Sequence, residues 1–269
     1  MAIVWQERDY ITIDRNKVFY EITGKGEPIL LLHGPFTDSR IWEGQVKTLV
    51  AAGYKVVTCD LRGCGKSDKP SYSFENTSDL KLLIEVLGLD HVSIVGTSSG
   101  GAVAIDFTLR YPDRVRSIIL VSPTVNGLFI PLPMIWKTIR NYNNVHSRGE
   151  EKAVEIFIKD PYWQFYLPAP EKEEARRRVL DLIRFPGNFC SWNPNLSVPL
   201  KPYANKRLHE IKVPVLIVAA DHDHPFIRKT AELLRKNISH ARMIEMEDCS
   251  PFVFVEKQDT FNRMILDFL

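Results

Sequence analysis

The chain alternates short apolar runs with amphipathic stretches along most of its length. Apolar runs lie at 29–32, 55–58, 92–95, 118–121, 215–218 and 242–246, and most of them are unbroken, as expected for strands covered on both faces. Helical patterns separate most of them, at 42–52, 78–87, 100–111, 228–237 and 260–269. Because strand and helix alternate, the pattern predicts an α/β fold with a parallel sheet and helices on both sides.

Two parts of the chain depart from this alternation. Segments 10–13 and 17–22 alternate polar and apolar residues around the turn 14–16, which predicts an antiparallel edge hairpin. From 123 to 211 the chain is helical, interrupted by prolines and rich in aromatic residues. We therefore predict a core of 1–122 and 212–269 and an inserted helical cap (lid) of 123–211, which would cover the strand ends where α/β sheets bind ligands.

Composition narrows the possible partners. The 269 residues are 45% apolar and 25% charged with a net charge of +2, which is typical of a globular domain and gives no basic surface for nucleic acid. The uncharged stretch 117–136 contains Pro123, Pro131 and Pro133, so it is not expected to cross a membrane. The start of the chain lacks an apolar signal core, which favours a cytoplasmic location.

The four cysteines show no metal-ligand spacing, so we expect free thiols and no bound metal. No cofactor motif is found, since both the Gly-x-Gly-x-x-Gly and the Gly-Lys-Ser/Thr patterns are missing. A small molecule is the expected partner, and the protein is expected to be a monomer or a homodimer.

The sharpest motif is Gly-x-Ser-x-Gly at 96–100, between a predicted buried strand and a predicted helix. Its glycines permit a turn so tight that the central Ser98 is exposed in a strained backbone conformation. The amide of Ser99 begins the helix and can stabilise an oxyanion. A glycine-rich turn that binds phosphate is the alternative interpretation.

Further segments carry a family resemblance: Leu32-His33-Gly34, 60–68, 110–115 and 252–269. With the Ser98 motif, they resemble the α/β-hydrolase superfamily, in particular its bacterial esterases, lactonases, haloperoxidase-like enzymes and carbon–carbon bond hydrolases. The resemblance implies a mostly parallel eight-stranded sheet and a catalytic serine, histidine and acid.

By this resemblance the acid follows the seventh strand, which selects Asp223, with Asp221 as the alternative. The histidine position of the family, aligned on Glu256, is occupied by Pro251. Proline has no titratable group, so it cannot accept the proton of Ser98. His222 and His224 flank Asp223 and are the candidates for a substitute base.

The oxyanion site also departs from the family. The residue after His-Gly, whose N–H usually binds the oxyanion, is Pro35, which has no N–H. A shift of one residue would let Phe36 donate instead, together with Ser99. We expect the substrate pocket to be lined by His33, Pro35, Trp136, Trp163 and Phe252.

Three functions are compatible with this sequence. The first is a non-hydrolytic enzyme that cyclises, eliminates or isomerises a small apolar molecule, and the loss of both base and donor favours it. The second is a serine esterase or lactonase with a relocated histidine base. The third is a ligand-binding protein without catalysis.

Overall fold

The computed structural model describes residues 6–269, so the first five residues of the predicted core lie outside it. Eight strands form one sheet in the order β1-β2-β4-β3-β5-β6-β7-β8. The strands β3 to β8 are mutually parallel, whereas β2 pairs antiparallel with both β1 and β4. The strands are β1 Gln6–Ile13, β2 Asn16–Thr23, β3 Pro28–Leu32, β4 Lys55–Cys59, β5 Val92–Thr97, β6 Val115–Val121, β7 Val215–Ala220 and β8 Ala241–Met246. The predicted fold class is confirmed.

The predicted edge hairpin is present, and its turn is explained by its backbone. Asp14 and Arg15 join β1 to β2 with φ values of 46° and 70°. Positive φ at both central residues is typical of the type I′ turn, whose twist matches that of the flanking strands.

Nine α-helices are found within 6–269: α1 Glu43–Ala51, α2 Asn76–Val86, α3 Ser99–Arg110, α4 Leu132–Arg148, α5 Glu150–Lys159, α6 Glu173–Ile183, α7 Pro225–Asn237, α8 Val253–Glu256 and α9 Gln258–Phe268. The helix predicted at 228–237 begins earlier, at Pro225. The side chain of His224 accepts a hydrogen bond from the N–H of Phe226 and so caps it.

Burial explains why the central strands read as continuous apolar runs. Every residue of β5 and β7 is buried. Two apolar clusters pack on opposite faces of the sheet, one containing Phe107 of α3 and the other Phe261 of α9. Alternate residues of one strand belong to different clusters, such as Ile118 and Ile119 of β6.

The segment 123–211, predicted as the cap, contains α4, α5 and α6 together with short 3₁₀ helices. In the chain it lies between β6 and β7, which are neighbouring strands of the sheet. Its division from the core as a separate domain stays a prediction. None of the helices within 6–269 is long and apolar enough to span a membrane.

Candidate active site

Ser98 occupies a sharp turn between β5 and α3. Its φ is 50° and its ψ is −115°, a conformation that costs free energy in any residue with a side chain. A Cβ at Gly100 would lie 2.5 Å from the carbonyl oxygen of His33, so only glycine allows this close approach. Within the described chain, the Oγ of Ser98 makes no hydrogen bond. The serine is therefore presented by the backbone, and its hydroxyl is not held by a hydrogen bond to any described residue.

A cavity of about 460 Å³ opens beside Ser98. Its wall is largely apolar, and helix α4 contributes one face to it. The lining residues of α4 are spaced four residues apart, as one face of a helix requires, at Met134, Thr138 and Tyr142, and Ile130 continues this spacing just before the helix begins. Ser98, Ser122, Asp223 and Pro251 line the same cavity from the ends of the strands and the loops that follow them. The volume suits a small organic molecule.

Asp223 follows β7 and is only 5% exposed. Its Oδ2 accepts hydrogen bonds from Ser122 Oγ at 2.7 Å and from the N–H of Ala220 at 3.1 Å. Its Oδ1 has no hydrogen-bond partner among the described residues. Burial raises the pKa of Asp223 to about 6, although the hydrogen bonds from Ser122 and Ala220 lower it. The carboxyl can thus exchange a proton near neutral pH.

Pro251 lies in the loop between β8 and α8, and its neighbours hold that loop firmly. The side chain of Glu256 accepts hydrogen bonds from the N–H and the hydroxyl of Ser250, and it forms an ion pair with Lys172 at 2.9 Å. Asp221, the alternative acid, accepts from the N–H groups of Asp248 and Cys249 at 2.7 and 3.0 Å.

These bonds decide the role of Asp221. Burial favours its neutral form, but the N–H donors of Cys249 and Asp248 outweigh that effect and lower its pKa. Asp221 does not line the cavity described here. It holds a loop in place, which leaves Asp223 as the acid of the site.

The predicted substitute bases are not brought to Ser98. The side chain of His222 is 52% exposed, with its Nε2 3.9 Å from Asp221. His224 caps α7 through Nδ1, and its ring packs on Tyr162 and Phe165, where burial lowers its pKa. Neither histidine lines the cavity. The expectation of a base at 222 or 224 is corrected accordingly.

His33 is the one histidine within 6–269 that lines the cavity. Its Nε2 accepts a hydrogen bond from the N–H of Leu61 at 3.0 Å, and its Nδ1 lies 2.8 Å from the carbonyl oxygen of Gly34. Because the amide can only donate, Nε2 carries no proton and Nδ1 donates to Gly34. Both ring nitrogens are used, so His33 is a structural residue.

The predicted oxyanion donors lie at the cavity. Phe36 lines it with φ at 62°, its ring packed on Phe157, Tyr166 and Phe189. Its N–H has no acceptor among the described residues. Ser99 also lines the cavity and begins α3, where backbone N–H groups have no partner in the helix. The assignment of these two amides as oxyanion donors stays a proposal.

The predicted pocket residues divide into two groups. His33, Pro35 and Trp163 line the cavity, whereas Trp136 and Phe252 do not. Trp136 is 61% exposed on the outer side of α4, and Phe252 is buried against the rings of Tyr166 and Phe254.

Hydrophobicity alone therefore does not distinguish the residues of α4 that line the cavity from those that face outward. The outward face of α4 carries Leu132, Trp136 and Ile139, all more than half exposed, while its inward face contains Thr138 and Tyr142. The four-residue spacing of 130, 134, 138 and 142 was the signal that could have identified the lining. No sequence signal pointed to Ser122 as the partner of Asp223.

All four cysteines are free, as predicted. Cys64 and Cys190 line the cavity, and burial raises the pKa of each thiol to about 12. Both thiols are therefore protonated near neutral pH and are poor nucleophiles.

Comparison with known proteins agrees with the fold and supports an enzyme. A family model described as alpha/beta hydrolase fold matches residues 27–258. The chain is 29% identical over 266 residues to a 2-hydroxy-6-oxononadienedioate/2-hydroxy-6-oxononatrienedioate hydrolase of Pseudomonas putida, covering 94% of this chain and 91% of that protein. It is 27% identical over 273 residues to a 2-hydroxy-6-oxo-6-phenylhexa-2,4-dienoate hydrolase of Comamonas testosteroni, covering 94% and 91%.

Among solved structures, the enol-lactonase of Burkholderia xenovorans LB400 superimposes with a TM-score of 0.80 at 21% identity, over 97% of this chain and 99% of that chain. The sequence relatives overturn one expectation. They match almost the whole chain and are named hydrolases, so the prediction of a non-hydrolytic cyclase, eliminase or isomerase is wrong. That prediction rested on two missing groups, the histidine base at Pro251 and the backbone donor at Pro35.

Proposed function

The chain belongs to the α/β-hydrolase fold family, and from this premise we propose that it is a hydrolase of small, largely apolar carbonyl compounds such as esters or lactones. The observation that carries the proposal is that Ser98 and Asp223 line one capped cavity. Ser98 has the strained conformation of a nucleophile elbow, and Asp223 is a buried carboxyl with a free oxygen.

Ser98 is the nucleophile in this proposal, and Asp223 takes the place of the missing histidine as the base. A general base works best when its pKa lies near the operating pH, and burial raises the pKa of Asp223 to about 6. The proton of Ser98 passes to Asp223 directly or through one water, while Oγ bonds to the carbonyl carbon. The N–H groups of Phe36 and Ser99 stabilise the resulting oxyanion.

The tetrahedral intermediate then expels the leaving group, which takes the proton from Asp223, and an acyl group remains on Ser98. Water attacks this acyl group and gives its proton to Asp223; the bond from the acyl carbon to Oγ then breaks, Oγ of Ser98 takes the proton back from Asp223, and the acid product is released. Because a carboxylate is a weaker base than imidazole, turnover is expected to be slow compared with that of a complete triad.

The test combines a fluorophosphonate probe with a series of activated aryl esters. We expect slow labelling of Ser98 and slow ester turnover in the unchanged protein, and loss of both in Ser98→Ala. Asp223→Asn should fold, since an amide can keep the bond from Ser122, and should lose at least about tenfold in turnover. Ser117→Ala is the matched control, because Ser117 is buried in β6 and bonds to Ser93, away from the cavity. Absence of labelling together with absence of turnover on every ester would refute the proposal.

A further inference from the structure

The charged groups in the cavity wall are unexpected for a chain whose relatives are named as hydrolases of dienoates and dienedioates. Among the described residues that line the cavity, Arg62 and Asp223 are the two with ionisable acid or guanidinium groups. What each of them binds decides which charge the cavity presents to a ligand.

The positive charge of Arg62 is already neutralised. Its Nε and Nη2 bond to the two carboxylate oxygens of Asp79 at 2.6 and 2.8 Å, and Nη1 bonds to Asn16 at 3.0 Å. A bidentate pair of this kind satisfies both the charge and the geometry of the guanidinium. The Arg62 side chain is 0% exposed, so it offers no free donor to an anionic ligand.

Asp223, in contrast, has no cation paired with it. The nearest helix supplies Arg228, whose guanidinium is bound to Glu245 at 3.0 Å on the surface. Ser122 and the backbone of Ala220 bond only to Oδ2. Pro251, at the histidine position of the family, has no N–H to donate, so Oδ1 lacks a partner within 6–269.

The aromatic part of the wall also favours a cation over an anion. Six rings of phenylalanine, tyrosine and tryptophan line the cavity, those of Phe36, Tyr142, Trp163, Phe165, Tyr166 and Trp192. The faces of such rings attract an ammonium group, and they offer nothing comparable to a carboxylate. An ionised Asp223 in these apolar surroundings is poorly solvated, and a ligand cation would offset that cost.

We infer that the cavity selects an apolar molecule carrying a basic nitrogen, whose N–H group bonds to Asp223, and that it excludes carboxylates. The bound molecule is the substrate only if the proposed hydrolysis is correct, whereas the binding preference stands without it. This chain would then differ in substrate from the relatives named for dienoates and dienedioates.

Three ligands of matched shape test the inference by titration calorimetry at pH 8: phenylbutylamine, phenylbutanol and phenylbutanoate. We expect the amine to bind at least about tenfold more tightly than the alcohol, and the carboxylate to bind most weakly of the three. In Asp223→Asn, the affinities for the amine and the alcohol should agree within about twofold. Glu232→Gln, an acid-to-amide change at an exposed position of α7, is the control and should keep the preference.

A second measurement does not depend on a variant. At pH 5 Asp223 is protonated while the amine keeps its charge, so the advantage of the amine over the alcohol should disappear in the unchanged protein. The charged groups that act on Asp223 are Arg228 of α7 and Asp221 of its own loop. Ser122, its side-chain partner from another element, and Pro251, which lines the same cavity, do not titrate in this range.

Equal or better binding of the carboxylate, or an amine preference that survives in Asp223→Asn or at pH 5, would overturn the inference. Ester turnover without any amine preference would count against this inference alone. An amine preference without labelling of Ser98 would count against the proposed hydrolysis alone.

Discussion

Ser122 donates a hydrogen bond to Oδ2 of Asp223 at 2.7 Å, while Oδ1 of the same carboxyl has no partner among the described residues. Ser122 follows β6 and has a φ of 43°. Its N–H bonds to Val218 of β7 at 2.8 Å, so the backbone directs the hydroxyl towards the strand that precedes Asp223. The acid is therefore oriented by a serine that follows the neighbouring strand, and one of its oxygens is buried without a partner among the described residues.

Ser122→Ala should shift the pH dependence of hydrolysis upward. The hydroxyl stabilises the charged form of Asp223, so its removal raises the pKa of the carboxyl further above its present value of about 6. Since the base must be ionised, the midpoint of the rise in kcat/KM should move up by about one pH unit. The profile is measured with an activated aryl ester, and Ser117→Ala should leave the midpoint unchanged. A midpoint that stays in place would show that Asp223 is not the titrating group.

Asp223→Asn should change how stability depends on pH. The pKa of Asp223 is raised on folding, so this residue contributes stability that is fully present below the unfolded pKa of 3.8 and is lost as the pH rises through about 6. The unchanged protein should lose about 2 to 3 kcal/mol of unfolding free energy from this residue between pH 4 and pH 8. In the variant this loss should be missing, as measured by urea unfolding at both pH values. Equal losses in the two proteins would contradict the raised pKa.

Pro251→His should increase hydrolysis. A histidine at this position would bring a base with an ordinary pKa near 6.5 beside Ser98 and supply the donor that Oδ1 of Asp223 lacks. We expect a gain of about a hundredfold or more in kcat on aryl esters. Pro251→Gln is the control for relief of proline rigidity and should show little gain. A gain that persists after Ser98→Ala is added would exclude Ser98 as the nucleophile in the improved variant.

Ser98→Gly should be more stable than Ser98→Ala. A residue with a Cβ at a φ of 50° is strained by roughly 1 kcal/mol, which glycine avoids. Both variants lose the hydroxyl, so a comparison of their melting temperatures separates the effect of the Cβ from that of the hydroxyl, and relief of strain must exceed the greater unfolded-state entropy of glycine. The same pair at Ser99, the first residue of α3, should give the opposite order, because glycine disfavours helices. If Ser98→Ala melts at the higher temperature, the elbow is not strained.

The sequence was most informative where a local pattern fixes a local structure. Each of the eight strands was predicted within a few residues, because burial on both faces makes the central strands continuously apolar. The turn at Ser98 was also predictable, since glycine at 100 is required by the approach of the His33 carbonyl oxygen.

The site could be predicted only in part, since its remaining features depend on contacts between distant segments. The hydrogen bond from Ser122 to Asp223 joins residues 101 positions apart, and no motif in the sequence around either residue indicates it. His222 and Trp136 were predicted from residue type, but the direction of a side chain in a loop or on a cap helix is set by packing. Both point to solvent.

The ion pair that neutralises Arg62 determines how a mutation could change the charge of the cavity. The chain has a guanidinium in the wall of its cavity, and the bidentate pair with Asp79 of α2 neutralises most of its charge, with Asp14 at 3.6 Å as a weaker partner. A single exchange of Asp79 for asparagine would remove this partner and leave a guanidinium in the same wall as the Asp223 carboxylate. The balance of charge in the cavity thus depends on one side chain that does not line it, on a scaffold whose strands, elbow and cap need no alteration.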